Sequence, residues 1–275
     1  MAHTDDDPSI LAAAKAIRGA DALLIGAGAG MGVDSGLPDF RGPEGFWKAY
    51  PPFRGKRFSD LSTPHWFDDD PSLAWGFFGH RLNLYRSTQP HAGFGILLRW
   101  LKDRPSGGFV FTSNVDGQFQ KAGFPEAIVL ECHGSIRHLQ CTRSCSSGIW
   151  PSDGVAMEVD EATIRTNSAF PKCPDCDAIA RPNILMFGDG YWNADRTERQ
   201  AAVYEQWLRR VNGRNIVAIE IGAGLAIPTV RRQCEACSTT LIRINPMEPD
   251  TPPGGIGLRL GAMEALQQID AAMKG

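Results

Sequence analysis

Long apolar runs are missing from this sequence. No uninterrupted stretch approaches the roughly 18 residues that a membrane span requires, and the run 22–25 is broken at once by glycines. Basic residues are missing from the start, where Met1-Ala-His-Thr-Asp-Asp-Asp is acidic instead of carrying the positive charge of a signal peptide. A strong net charge is missing as well: the formal value of −3 leaves no basic footprint for direct nucleic-acid binding. Seven cysteines are an odd count for a secreted disulfide framework, and most sit in short-spaced pairs, a pattern that in a reducing compartment points to metal. These absences lead us to expect a cytoplasmic, membrane-free protein that does not bind nucleic acid directly. They leave the oligomeric state open.

The 275 residues, 43% of them hydrophobic, suffice for one large domain or a large domain with a small insert. Short apolar runs recur at 22–25, 109–112, 128–130, 184–187, 216–221 and 241–244. They are nearly continuous in hydrophobicity and too short for helices, which is how strands covered on both faces of a parallel sheet read. Helical patterns lie at 10–17, 94–101, 197–211 and from 230 onward. The alternation predicts an open α/β sheet of Rossmann-like type. Two stretches break the rhythm: an aromatic- and proline-rich segment with one helix over 73–86, and a polar, cysteine-bearing segment over 136–181. The predicted organisation is a Rossmann-like parallel-sheet domain (1–42, 91–135 and 182–275) with a small helical insertion (43–90) and a small zinc-ribbon-like module (136–181).

After the first predicted strand the chain reads Gly26-Ala-Gly-Ala-Gly-Met-Gly, a turn whose backbone N–H groups can approach a pyrophosphate closely. No acidic residue closes a second strand about twenty residues on, as a dehydrogenase fingerprint requires. Alone, such a turn is equally compatible with a tight connection. The longer segment Gly28-Ala-Gly-Met-Gly-Val-Asp-Ser-Gly-Leu-Pro-Asp-Phe-Arg41 resembles the sirtuin signature G-A-G-I-S-x-x-S-G-I-P-D-F-R, with Gly32 in place of a serine. The strand 109–112 runs into Ser113-Asn-Val-Asp-Gly-Gln-Phe-Gln-Lys-Ala-Gly123, which is similar to the family's Q-N-I-D-x-L-H-x-x-A-G. Glu131-Cys-His-Gly-Ser135 is similar to E-L-H-G-S, Arg181-Pro-Asn-Ile-Leu-Met-Phe-Gly-Asp189 to R-P-x-V-V-x-F-G-E, and Gly222-Ala-Gly-Leu-Ala-Ile-Pro228 to G-T-S-L-x-V-x-P. The motifs fall in the family's order over nearly the whole chain, so the sequence resembles a sirtuin, a Sir2-like NAD-dependent protein deacylase of bacterial type.

That resemblance implies an enzyme using NAD as cosubstrate on acyl-lysine proteins or peptides. It implies a nucleotide site at Gly28, Ala29, Gly30, Asp39, Phe40, Arg41, Ser113, Asn114, Asp116, His133, Gly222, Ala223, Gly224, Asn245 and Ala262. His133 is the implied base, with Asn114 and Asp116 beside it. Imidazole titrates near neutrality and can take a hydroxyl proton at cellular pH. In the implied reaction the acyl oxygen attacks the anomeric carbon as nicotinamide leaves. A ribose hydroxyl deprotonated with the help of His133 then attacks the resulting imidate, and lysine departs with O-acyl-ADP-ribose as the second product. Phe187, Gly188 and Asp189 fall where the family pairs by its backbone with an extended peptide. Phe78-Gly-His-Arg81 falls where members preferring acidic acyl groups carry Tyr-x-x-Arg, so Phe78 and Arg81 are read as acyl-pocket residues open to succinyl-like groups.

Cys141, Cys145, Cys173 and Cys176 form C-x3-C and C-x2-C knuckles, a spacing suited to a closed, structural Zn2+ site. Cys234 and Cys237 form another C-x2-C without a second pair nearby and read as packing, as does Cys132. Two rivals to the deacylase stay open. One is NAD hydrolysis or mono-ADP-ribosyl transfer in the same pocket. The other is a catalytically weak NAD- or ADP-ribose-binding module, suggested by the trimmed side chains at Gly32, Ser113, Ala223 and Gly224.

Overall fold

Six parallel strands order the molecule, and they are built from short, mainly apolar runs; the charges inside β9 and β10, Glu220 and Arg243, face each other in a buried ion pair. The computed structural model describes residues 7–39, 46, 48, 50–145 and 148–274. In chain order its strands are β1 (Ala22–Ala27), β2 (Gly108–Thr112), β3 (Val129–Glu131), β4 (Gly134–Cys141), β5 (Ile149–Pro151), β6 (Val159–Asp160), β7 (Arg165–Thr166), β8 (Ala180–Ile184), β9 (Ile216–Ile221), β10 (Thr240–Ile244) and β11 (Ile256–Leu258). The longer helices are α1 (Pro8–Arg18), α2 (Pro71–Ser87), α3 (Ala92–Lys102), α4 (Asp195–Arg210), α5 (Thr229–Cys237) and α6 (Ala262–Lys274). The main sheet has the order β11-β10-β9-β1-β2-β3, parallel at every pairing.

Every residue of β1 and β9 is buried, because helices cover both faces. Leu23, Ile25 and Val110 pack with α1, α3 and α6. Leu24, Phe109 and Ala218 point the other way, onto Tyr204 and Trp207 of α4 and Val230 of α5. That division is the period-two alternation of a strand. Local signals start the helices. The Asp7 carboxylate accepts from the Ser9 N–H at 2.8 Å with Pro8 in the first turn, and Asp70 accepts from Leu73 with Pro71 next to it.

The two segments that break the alternation share one core. Trp75, Phe77 and Phe78 of α2 are buried with Phe46, Phe53 and Phe67, and against Ile136, Leu139, Ala180 and Ile184 of the small β5-β4-β8 sheet. Fully burying one such aromatic side chain contributes roughly 1.5–3 kcal/mol. Two sequence expectations are corrected here. The run 184–187 is not a strand of the parallel sheet: the strand is β8, antiparallel to β4, and Leu185 and Phe187 beyond it are exposed. The segment 136–181, which shows almost no strand-like run in the sequence, also carries most of the longest strand of that small sheet, β4, whose residues are buried except at Arg137 and His138 but are not continuously apolar. Among the described residues no helix is long and apolar enough to cross a membrane.

Candidate active site and metal centre

The strand order places β2 and β3 on one side of β1 and β9 on the other, so the loops leaving β1 and β9 diverge. In open α/β sheets that switch point, at the carboxyl ends of the strands, is where ligands bind. Here the two loops meet backbone to backbone. A Cβ on Gly28 would lie 2.6 Å from the Ala223 Cα and 2.7 Å from the Gly222 carbonyl oxygen. Gly222 has φ +62°, and its own Cβ would lie 2.4 Å from the Gly30 Cα. The Gly30 N–H donates to the Gly222 carbonyl at 3.1 Å. Only glycine fits such an approach.

A cleft of about 580 Å³ opens from this junction. Gly28, Ala29 and Asp39 line it from the first loop, Ser113, Asn114 and Asp116 from the loop after β2, and Gly222, Ala223 and Gly224 from the loop after β9. His133, Phe187 and Arg81 complete its wall. The Asn114 amide donates to the Gly28 carbonyl at 2.9 Å, which ties the β2 loop to the glycine turn. Asp116 does two things at once. One carboxylate oxygen accepts from the Gln118 N–H at 2.9 Å, which makes an Asx turn after the strand. The group also faces the cleft, and burial pushes its pKa up to about 6, with the charge of Glu131 adding to the shift while the Gln118 hydrogen bond and Arg81 oppose it. His133 moves the other way. Burial holds it below its ordinary value, against a hydrogen bond with the Ser113 backbone. At neutral pH the cleft therefore holds a neutral imidazole, able to accept a proton, and an ionised Asp116. Gly134, at φ +77° with room for no Cβ against the Asn183 carbonyl, turns the chain directly after it.

Other expected site residues lie elsewhere. Phe40 and Arg41 lie outside the described residues. Asn245 is fully buried behind the cleft: its amide donates to the Ala223 carbonyl at 3.0 Å, and its oxygen accepts from the Met247 and Glu248 N–H groups. It shapes the loop from beneath. Ala262 is buried in the first turn of α6 and does not line the cleft. Gly188 makes an exposed turn at φ +67°. The Asp189 carboxylate is turned inward into a two-pronged ion pair with Arg181, 2.7 and 2.9 Å, with both side chains at most 2% exposed. Phe78 does not reach the cleft; its ring is buried against Phe67 and Phe77. The residue beside Arg81 is Tyr85, one helical turn on and also in the cleft wall. The sequence reading missed Tyr85, although its i,i+4 spacing from Arg81 puts the two on one helix face.

Cys141, Cys145, Cys173 and Cys176 converge, with their sulfurs all within 4.8 Å of one another. The Cys141–Cys176 and Cys145–Cys173 pairs stand 3.6 and 3.2 Å apart, too far for disulfides. Tetrahedral zinc–thiolate bonds of about 2.3 Å place sulfurs about 3.8 Å apart, so four soft thiolates at these separations suit Zn2+ in a closed, structural site. Cys234 is fully buried against Gly26, and burial pushes its thiol well up. Burial also pushes the Cys132 thiol up to about 12. Both behave as packing residues.

The sequence profile of the Sir2 family matches residues 28–207. The chain belongs to the Sir2 family. Among similar proteins, the NAD-dependent protein deacylase of Aeropyrum pernix is 29% identical over 250 residues, 90% of each chain. The NAD-dependent protein deacetylase of Saccharolobus solfataricus is 33% identical over 200 residues, 73% of this sirtuin and 69% of that protein. A Sir2 homologue solved with NAD superposes with a TM-score of 0.70 at 24% identity, covering 98% of this chain and 94% of that one. A mutant Sir2 homologue in complex with 2′-O-acetyl ADP ribose gives 0.69 at 26% identity, covering 98% and 97%. This sirtuin thus shares the doubly wound fold of those proteins over almost its entire length.

Proposed function

We propose that this sirtuin is an NAD-dependent protein-lysine deacylase that transfers the acyl group of a lysine side chain to ADP-ribose with release of nicotinamide. The observation that carries the reading is one cleft in which the neutral His133 imidazole and the raised Asp116 carboxylate face the glycine-lined junction of the β1 and β9 loops. When bound, NAD supplies the electrophilic ribose carbon and the leaving nicotinamide. The loop glycines and Ala223 hold its phosphates, Asn114 and Asp116 orient the nicotinamide ribose, and His133 takes a hydroxyl proton. Phe187 on the rim supports binding of an extended peptide. The N–H groups of Leu185, Met186 and Phe187 are already engaged with His133, Asp189 and Ser62, so the peptide is held there mainly through carbonyl acceptors.

Arg81 and Tyr85 support a finer reading, that the acyl pocket accepts acidic acyl groups such as succinyl. The Arg81 guanidinium carbon lies 5.5–5.6 Å from the rings of Phe58, Phe77, Phe78 and Tyr85. That aromatic surround fixes the cation at the cleft wall.

The test is nicotinamide release from NAD with and without acetyl-lysine or succinyl-lysine peptides, beside His133→Ala. Peptide-dependent release that disappears in the variant supports the deacylase. Release indifferent to peptide moves the assignment to NAD hydrolysis or ADP-ribosyl transfer, and NAD binding without release makes the protein a sensor.

A further inference from the structure

A second cavity, of about 420 Å³, lies on the far side of β3, between α4 and the small antiparallel sheet. Four of its lining residues, Arg196, Arg199, Gln200 and Val203, recur at the spacing of one helix face. His138 of β4 stands opposite, with Ile149 and Pro151 of β5 next to it. Arg196 is only 9% exposed. One of its terminal nitrogens bonds Glu131 at 2.6 Å, while the other, Nη1, is buried with no hydrogen-bond partner. Nδ1 of His138 is likewise buried with no partner. Leaving a buried donor unpaired costs roughly 1–3 kcal/mol, so the Arg196 Nη1 marks a place where an acceptor is missing, and Nδ1 of His138, which carries its proton in one tautomer, can turn a second N–H toward the same place. Arg199 adds an exposed second cation, and Glu126 stands at the mouth as the single lining carboxylate. Arg196 already shares its charge with Glu131 and Arg199 faces one rim acid, so the cavity suits at most a single negative charge. Val203, 39% exposed, and Ile149 supply an apolar side.

We infer that this cavity is a second ligand site, taking a small organic monocarboxylate whose head group meets Arg196, Arg199 and His138 and whose apolar body lies along Val203 and Ile149. The site reaches the catalytic strand. Besides the Arg196 ion pair, Gln200 accepts from the Glu131 N–H at 3.1 Å, and Thr197 donates to the Glu131 carbonyl at 3.1 Å. Three neighbouring side chains of α4 thus hold Glu131, two residues before His133, and the Glu131 charge is felt at Asp116. A carboxylate on Arg196 competes with Glu131 for the same guanidinium. Its arrival therefore alters how firmly the end of β3 is held.

The binding part of the inference stands apart from the deacylase assignment, and the regulatory part rests on it; separate readouts keep the two distinguishable. Hexanoate, with hexanamide as the uncharged control, is titrated calorimetrically into the purified protein saturated with ADP-ribose. Saturable hexanoate binding is expected without hexanamide binding. It should be weakened at least about five-fold in Arg199→Ala, as for loss of one charge-assisted contact, abolished in Val203→Glu, and kept in Arg81→Ala. Arg199 and Val203 are exposed, so these changes leave the fold intact. Binding that is lost in Arg81→Ala yet kept in both cavity variants places the ligand in the main cleft and overturns the inference, as does the absence of saturable binding. For the regulatory part, saturating hexanoate is expected to shift kcat of deacylation about two-fold or more in the wild type and not in Val203→Glu. An unchanged kcat at saturation overturns that part alone.

Discussion

The Nε of Arg81 donates to the hydroxyl of Tyr85 across 3.1 Å, and both side chains line the cleft that also holds His133. The pair takes over the place expected for Phe78, whose ring is committed to the aromatic core. A fixed guanidinium with a neighbouring hydroxyl can hold an acyl carboxylate through charge-assisted hydrogen bonds. Arg81→Ala is therefore expected to lower desuccinylation relative to deacetylation by about ten-fold or more, and Tyr85→Phe by a smaller factor, since a hydrogen bond to a charged group is worth about 1.5–3 kcal/mol. Competition kinetics on matched succinyl- and acetyl-lysine peptides measures the ratio. An unchanged ratio in Arg81→Ala sinks the acidic-acyl reading.

Arg81 has a second effect, because its charge lowers the pKa of Asp116 against the larger upward push of burial. In the proposed reaction His133 acts as a neutral base beside an ionised Asp116, so kcat/KM is expected to fall as pH drops through about 6. Removing Arg81 takes away a lowering influence. The acid limb of Arg81→Ala should accordingly move to higher pH, a shift that a pH profile detects independently of the acyl ratio.

Asp116 also links the site to stability. Its folded pKa is raised from 3.8 to about 6, so the folded state holds a proton that the unfolded chain has released. The stability lost as pH rises between those values is fully lost above about 6. Allowing for the part of the side chain that faces cleft water, the loss is roughly 1–2 kcal/mol. Asp116→Asn keeps an acceptor for the Gln118 N–H and removes the charge. Its melting temperature should exceed that of the wild type by a few degrees at pH 7.5, converge with it near pH 4, and accompany a large loss of turnover. A variant less stable at pH 7.5 contradicts this account.

Much of this was legible in the residues, and the remainder failed for identifiable physical reasons. β1, β2, β9 and β10 read correctly because a strand buried on both faces is apolar at most successive positions, and the exceptions, Glu220 and Arg243, neutralise each other across β9 and β10. β4 escaped because polar residues are interspersed along it and a register shift between Ser135 and Leu139 breaks its period, so that Ile136 and Leu139 are both buried while Arg137 is exposed. The run 184–187 misled for the converse reason: Leu185 and Phe187 are apolar but exposed, as residues at the rim of a peptide-binding cleft would be. Asn114, Asp116 and His133 were singled out through motifs that follow strand ends, and all three line the same cleft. The inward roles of Asn245 and Asp189 were hidden, because their partners, Ala223 and Arg181, are brought to them only by the fold.

The cysteine cluster makes a prediction about metal. The purified protein should carry one Zn2+, and its removal by a chelator should cost several kcal/mol, since a closed tetrathiolate site is part of the fold it holds together. Trp150 packs against the cluster, so its fluorescence should change with metal loss. Cys173→Ser should lose the metal and unfold at lower temperature. Cys234→Ser should retain it. Full zinc occupancy in Cys173→Ser, measured by elemental analysis, contradicts the assignment.

The glycine junction holds one position that matches the family motif, Gly28, and one that departs from it, Gly224. A Cβ at position 28 meets the Ala223 Cα at 2.6 Å and the Gly222 carbonyl at 2.7 Å, all backbone, so neither side can yield without moving a strand end. Gly28→Ala should therefore open the β1–β9 junction, weaken NAD binding by about ten-fold or more and lower stability by at least about 1 kcal/mol, the range of overpacking in a tight site. At Gly224 a Cβ meets nothing within 4 Å, and the residue lines the cleft. Gly224→Ser restores the hydroxyl that the family motif carries at this position. It should fold as well as the wild type and bind NAD more tightly, by about two- to ten-fold for one added hydrogen bond. Calorimetric titration of NAD into both variants decides the point. Tighter binding in Gly224→Ser with loss in Gly28→Ala places the phosphates at this junction, whereas equal affinities in the two variants mean that the nucleotide lies elsewhere in the cleft.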